Sequence, residues 1–298
     1  MLLCALTDDT GWVSSCAFSP DEQRILTTSY NKTTKLWDAN SGALLQSFDD
    51  YTDSVYDGAF SPDGQHILTA NHDNTAKLWN ASSGILLHSF DSHTYRVNSC
   101  AFSPDGQHIL TASADKTSKL WDVHSGALLH TFKGHTNWVR SCAFSPNGKH
   151  ILTASNDHTA KLWDAHTGTL LRSFDGHTNP VTSCAFSDDS QHILTTSADS
   201  TARLWNANTG ELIRAYFASQ ADNLTLSWPA KLKDFLDRRC TLRAIDPNRP
   251  ITLPRNWILQ DQRLAERQPV RTWPLDVLIS RYGDDESQAL LAQAKRAG

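Results

Sequence analysis

The chain has 298 residues, is 39% hydrophobic and 20% charged, and carries a formal net charge of −5, an ordinary composition for a globular protein. No run of about 18 apolar residues occurs, which excludes a membrane-spanning helix. Residues 1–217 hold 14 Lys and Arg against 22 Asp and Glu, and residues 218–298 hold 13 against 10, so the acidic first part has no general nucleic-acid footprint.

The opening Met1 to Thr7 has no basic flank and too short an apolar run for a signal peptide. Its Leu2-Leu3 pair is the first of a series that recurs every 42 residues, at Leu44, Leu86, Leu128 and Leu170. The same step carries Phe18, Phe60, Phe102, Phe144 and Phe186, and Trp37, Trp79, Trp121, Trp163 and Trp205. Five copies in phase mean one structural unit repeated five times, and a period of about 40–45 residues predicts four-stranded propeller blades.

Within a copy the strands follow in order. Trp138 to Phe144 reads as an inner strand, Ser145-Pro-Asn-Gly148 as a tight turn, Lys149 to Ser155 as a second strand and Asn156-Asp-His158 as a turn. Thr159 to Trp163 is a third strand, Asp164 to Gly168 a turn, and Thr169 to Phe174 an outer strand. By this phase the chain begins on an outer strand, and six outer strands accompany five inner triplets.

After Ser219 the period stops. Trp228 falls in the Phe column, so Asn223 to Trp228 reads as a decayed inner strand of an irregular sixth blade. Three closures stay open: that sixth blade, five blades closing alone, or an open arc that is part of a longer protein. Pro229 to Arg239, a segment capped by Thr272 and stopped by Gly283, and Asp284 to Ala297 read as helices from their caps and apolar spacing. The expected division is a propeller at 1–217 and a mainly helical or irregular extension at 218–298.

These repeats resemble the WD40 family. Gly134-His135 and Gly176-His177 look like its GH dipeptide; Trp37-Asp38, Trp121-Asp122 and Trp163-Asp164 look like its WD dipeptide, with Trp79-Asn80 and Trp205-Asn206 as variants. The resemblance covers residues 2 to 217 and implies an all-β propeller of four-stranded antiparallel blades. It also implies a structural hydrogen-bond set in each full copy: His93, Ser113, Asp115 and Trp121; His135, Ser155, Asp157 and Trp163; His177, Ser197, Asp199 and Trp205. A catalytic triad occurs once on its scaffold; a set repeated blade after blade is architecture. The second copy has Tyr51 for His and Asn71 for Ser, and the first has Asp9 for His and Asn31 for Asp. The first blade is therefore expected to be the least stable locally.

Cys16, Cys100, Cys142 and Cys184 share one column, with Gly58 in the second copy, and read as small buried hydrophobes. No CxxC pair occurs, so no zinc site is expected, and cysteine usage points to a reducing compartment, the cytoplasm. His66, His108, His150 and His192 form a column in an outer turn, too far apart between blades to share an ion. No cofactor or metal is expected.

The copies differ mainly at one end of the blades. One column there reads Trp12, Ser54, Arg96, Trp138, Pro180; its neighbour ends in Tyr95, Asn137 and Asn179. Two positions on stand Ser14, Tyr56, Asn98, Arg140 and Thr182, and the Asp-bearing turn adds Tyr30 and His72. The turns of the opposite end barely change. Diversity rich in Trp, Tyr and Arg is the signature of an interface. The expected function is a non-enzymatic scaffold that binds a protein or peptide through Trp12, Tyr30, Tyr56, Tyr95, Arg96, Asn98, Trp138 and Arg140. No nucleic acid or membrane is an expected partner, and an incomplete ring would favour self-association. Two alternatives remain: a sensor or regulatory part of a larger multidomain protein, similar to the WD40 arrays that follow an NTPase domain in bacterial STAND-type proteins, and an enzyme or effector activity in the extension.

Overall fold

The computed structural model describes residues 12–48 and 53–217. They belong, Phe217 apart, to one compact unit, Met1–Tyr216. The expected helices of the extension, the decayed sixth blade, the first outer strand, Asp9 and Tyr51 lie outside the described residues.

Alternating and continuous apolar runs of five or six residues, broken by Pro, Asp and Gly turns, give twenty strands. Blade 1 comprises β1 (Val13–Phe18), β2 (Arg24–Ser29), β3 (Thr34–Asp38) and β4 (Leu44–Phe48). Blade 2 comprises β5 (Val55–Phe60), β6 (His66–Asn71), β7 (Ala76–Asn80) and β8 (Leu86–Phe90). Blade 3 runs through β9 (Val97–Phe102), β10 (His108–Ser113), β11 (Thr117–Asp122) and β12 (Leu128–Lys133), and blade 4 through β13 (Val139–Phe144), β14 (His150–Ser155), β15 (Ala160–Asp164) and β16 (Leu170–Phe174). Blade 5 holds β17 (Val181–Phe186), β18 (His192–Ser197), β19 (Thr201–Asn206) and β20 (Leu212–Phe217). Each blade is a four-stranded sheet in chain order, an antiparallel meander closed by local turns. The expected all-β blades are present, with strand ends within a residue of the sequence reading.

The 42-residue tryptophan step has a packing cause. From blade 2 onward each Trp lies on the outer-strand Phe of the preceding blade: Phe48 on Trp79 at 5.7 Å, Phe90 on Trp121 at 5.3 Å, Phe132 on Trp163 at 5.5 Å and Phe174 on Trp205 at 5.7 Å between ring centroids. Such a pair is worth about 0.5–1.5 kcal/mol beyond its buried area. Around it, Leu26, Leu36 and Phe48 of blade 1 enclose Val55 and Ile67 of blade 2, and the same set recurs between later blades. The core is a series of inter-blade seams.

The series has a free beginning. Inner strands pack β1 on β5, β5 on β9, β9 on β13 and β13 on β17. Val55, Val97, Val139 and Val181 are 0% exposed, but their equivalent Val13 is 52% exposed and Phe18 is 64% exposed. The difference follows from the seam: each Val is covered by the blade before it, and no blade precedes the first among the described residues.

One irregularity recurs and positions the variable residues. The register between the first two strands shifts at Val13/Ser15, Val55/Asp57, Val139/Ser141 and Val181/Ser183, and at the equivalent place in blade 3. The extra residue of each bulge is Ser14, Tyr56, Asn98, Arg140 or Thr182. A bulge re-aims its side chain; here Ser14 and Asn98 turn onto the Val55 and Val139 carbonyls of the next blade and Tyr56 turns toward Arg96, while Arg140 and Thr182 bond within their own blades.

Candidate functional site

Two arrangements in the unit are rich enough in polar and aromatic groups to be functional sites. One repeats in three blades and the other occurs once.

The repeated one links the family-implied His, Asp and Trp. In blade 3, His93 Nδ1 stands 2.7 Å from Asp115 Oδ2 and Nε2 stands 2.8 Å from Thr111 Oγ1, while Trp121 Nε1 donates to the same Thr oxygen at 3.0 Å. Blades 4 and 5 repeat this with His135, Asp157, Thr153 and Trp163, and with His177, Asp199, Thr195 and Trp205. The network assigns the tautomer: Nδ1–H donates to the carboxylate, and the Thr hydroxyl donates to Nε2 while accepting from the indole. Every member is satisfied by a neutral imidazole, and the ring is enclosed. Burial pushes His93 and His177 below the usual histidine range against the pull of their carboxylates. The carboxylates move down as well. Burial alone would raise Asp199, but hydrogen bonds from the Thr201 hydroxyl, His177 and the Thr178 N–H outweigh it and hold it at about 2. Asp115 and Asp157 are lowered by the same balance.

The serine takes a different part from the other three. Ser113 Oγ donates to the backbone carbonyls of Tyr95 and Arg96, at 2.8 and 3.0 Å, and accepts from the Asp115 N–H. It ties the Asp-bearing turn to the loop that enters the inner strand, and Ser155 and Ser197 do the same through Asn137 and Asn179. The hydroxyl that joins His to Trp belongs to the Thr27, Thr69, Thr111, Thr153, Thr195 column. That column keeps the 42-residue step in all five copies, so its signal was in the sequence. The glycine before the histidine has a steric reason: at Gly134, with φ at +152°, an added Cβ would stand 3.2 Å from the Trp163 ring.

The second arrangement lies at the end where the copies differ. Tyr30 of blade 1 meets Tyr56 of blade 2 edge-on at 5.4 Å. Arg96 of blade 3 lies with its guanidinium carbon 5.5 Å from the Tyr56 ring centre and 4.5 Å from that of Trp138 in blade 4. Tyr95 stacks on Trp138 at 6.4 Å and 26°, and Arg140 approaches the same indole at 5.8 Å. The result is a continuous ladder of rings and guanidinium groups across four blades. Arg140 Nε donates to Asn156 at 2.7 Å, and His72 pairs with Asp53 at 2.7 Å beneath Tyr56. Burial raises the Tyr56 phenol against the pull of the neighbouring Arg96 charge.

The sequence pattern of the WD domain, G-beta repeat family matches residues 2–38, 42–80, 84–122, 126–164 and 168–206. The chain belongs to the WD40 family. A search of curated proteins finds no match. WD40 domains generally bind protein partners and are typically non-catalytic, and the repeated His–Asp pairs of this chain fit the framework role: each is enclosed within its own blade.

Of the rim residues singled out in these WD40 blades, the structure gathers Tyr30, Tyr56, Tyr95, Arg96, Trp138 and Arg140. It sets two apart. Trp12 is 83% exposed, and its ring lies outside the ladder. Asn98 is half-buried and donates to the Val139 carbonyl at 2.7 Å, as Ser14 donates to Val55; both tie one WD40 blade to the next.

The opposite end offers a cleft of about 450 Å³ between the inner strands. Ala17, Phe60, Phe102 and Phe144 line it with turn prolines and no charged side chain. The histidine column, expected in a turn, instead opens the second strand of blades 2 to 5 at that end, with His66, His108 and His192 each 3.7–4.0 Å from the Asp three residues earlier. No cluster of three metal-ligating side chains forms among the described residues.

One half-buried acid belongs to neither arrangement. Asp57 of β5 replaces the serine of the other copies and accepts from Ser15 Oγ of blade 1, its neighbour Gly58 N and Cys100 N of blade 3. Burial raises its carboxyl above the usual range. It fastens three inner strands together.

Proposed function

We propose that this protein is a non-enzymatic interaction module that captures a protein or peptide on the variable rim of blades 1 to 4. The observation that carries the reading is the Tyr30–Tyr56–Arg96–Trp138–Arg140 ladder. Large aromatic and arginine side chains are the usual anchors of interfaces. Here they come from three neighbouring columns of the repeat in four blades and meet at the one end where the copies diverge. The four described free cysteines favour a reducing compartment such as the cytoplasm.

The test is a binding measurement with a Trp138→Ala/Arg96→Ala variant, using whichever partner is recovered from the native source. Capture should be lost while the thermal unfolding midpoint stays within a few degrees of the parent. Undiminished capture would sink the rim as the binding surface.

A second reading, part of a larger multidomain protein, is favoured by one observation: the Val13 and Phe18 face of blade 1 is exposed where every equivalent face carries a preceding blade. An effector or enzymatic activity in residues 218–298 falls outside the described residues.

A further inference from the structure

We infer that the rim over blades 3 and 4 receives an acidic peptide segment of the partner protein. This rests on the rim being the partner surface, and it adds the chemistry of what binds there.

Charge at this place departs from the rest of the molecule. The net charge of the chain is −5, yet the rim of these two blades presents cations. Lys116, Lys133 and Arg140 are exposed and Arg96 is half-buried. Lys133 is a particular substitution: the equivalent positions in the other copies are Asp49, Asp91, Asp175 and Phe217. The acids of the two turns, Asp115 and Asp157, are turned inward onto His93 and His135 with side chains 6% and 7% exposed. Among the described residues at this end of the two blades, Asp91 and Asp175 are the exposed acids that remain.

The arginines are also held ready. Arg96 is clamped between the Tyr56 and Trp138 rings, with its Nε enclosed and without a hydrogen-bond partner. Arg140 is fixed by a single bond through Nε to Asn156, which leaves its two terminal nitrogens directed to other acceptors. Both guanidinium groups flank one indole, so a carboxylate reaching them would lie beside an apolar surface made by Trp138 and Tyr95. A charge-assisted bond to a pre-oriented guanidinium is among the stronger single contacts available to a peptide. An extended segment with two or more Asp or Glu around one apolar residue fits this arrangement; a basic or neutral segment would leave two fixed cations desolvated and unpaired.

The test is selection of random twelve-residue peptides displayed on phage against the full chain, followed by fluorescence polarisation of the enriched peptides. Enriched sequences should be rich in Asp and Glu. Changing those residues to Asn and Gln should weaken binding about tenfold or more, and binding should weaken as salt rises. The exposed pair Lys133→Gln/Arg140→Gln should cause a comparable loss without altering the fold, and Trp138→Ala should abolish binding. Enriched neutral or basic peptides that still need Trp138 would overturn the acidic partner and leave the rim reading standing. Peptides bound equally by the Trp138→Ala protein, or no enrichment, would overturn both. A twelve-nucleotide oligothymidylate bound more tightly than any peptide, through Arg96 and Arg140, would overturn a protein partner in favour of a nucleic acid.

Discussion

Thr28 of blade 1 occupies the space that a side chain at Gly58 of blade 2 would need: a Cβ built at Gly58 would stand 2.7 Å from Thr28 Cγ2. In the next three seams the corresponding pairs are Ala70 with Cys100, Ala112 with Cys142 and Ala154 with Cys184. In the first seam Thr adds a methyl and a hydroxyl relative to Ala on one side, and Gly lacks the whole CH2–SH group of Cys on the other. The exception in the cysteine column is thus one half of a volume exchange between blades.

Gly58→Cys alone should therefore overpack the seam and destabilise by about 1–3 kcal/mol. Thr28→Ala/Gly58→Cys recreates the later pairs and should recover most of that loss. Urea midpoints of the two single variants and the double variant check it; additive losses, with no coupling between the positions, would show that the sites pack independently.

The His–Asp–Thr–Trp networks predict the direction of acid sensitivity. His93 and His177 are held below their usual value by burial, so the unfolded chain takes up protons near pH 6.5 where the native state does not. Stability should be full above that pH and fall on acidification. A second loss should begin below about pH 4, because Asp199 stays ionised to about 2 in the fold. Urea midpoints at pH 8, 6, 5 and 3.5 measure this, with His93→Gln and His177→Gln proteins as references. A slope between pH 7 and pH 5 that is the same in the parent and both variants would refute the assignment.

Blade 1 should open first. Its Trp37 still donates to Thr27 at 2.9 Å, but among the described residues no blade covers its inner strand, and Val13 and Phe18 are exposed. Amide exchange in β1 and β2 should be faster than in β13 and β14 by an order of magnitude or more. Equal protection in the two blades would contradict this.

Asp57 should act in the opposite sense to the network carboxylates. Burial raises its native value above that of the unfolded chain, so its ionised form costs stability at neutral pH, and the cost shrinks as pH falls toward about 4. Any advantage of Asp57→Asn over the parent should be largest at pH 7–8 and fade on acidification. A difference between the two proteins that does not vary with pH would exclude a buried, titrating carboxyl.

The cysteine column predicts unequal reactivity. Cys100 and Cys142 are pushed well above the usual thiol range and Cys184 to about 12, all by burial, whereas Cys16 is exposed. In native protein, alkylation followed by peptide mass spectrometry should modify Cys16 first and the other three only on unfolding. Early modification of Cys142 would mean that the seam between blades 3 and 4 is open.

Much of this was legible in the chain. The phase of Phe, Trp and Leu sets the strands, their order and the blade repeat, because a pattern held in register over five copies averages out local ambiguity. The variable rim was legible for the same reason, since equivalent positions can be compared within one sequence. The expectation that Cys16 is buried like the other cysteines was not met: burial there comes from a neighbouring blade, which a column of identical residues does not report. Asn98 was grouped with Arg140 by position. The structure turns both out of β-bulges, but the short amide bonds the Val139 carbonyl of the next blade while the longer guanidinium lies against Asn156 and the Trp138 indole of its own blade.

The sequence by itself determined the repeating unit, the residues that build each blade and the end at which the copies differ. Periodicity and turn chemistry are local properties, and they survive translation from one copy to the next. Only the tertiary structure decided that Thr rather than Ser links His to Trp, that Thr28 requires Gly58, and that Arg96 is clamped between rings of two other blades. Each of these is a contact between elements whose separation in the chain says nothing about their distance in space. The ladder on the rim exists because the blades bring equivalent loops side by side.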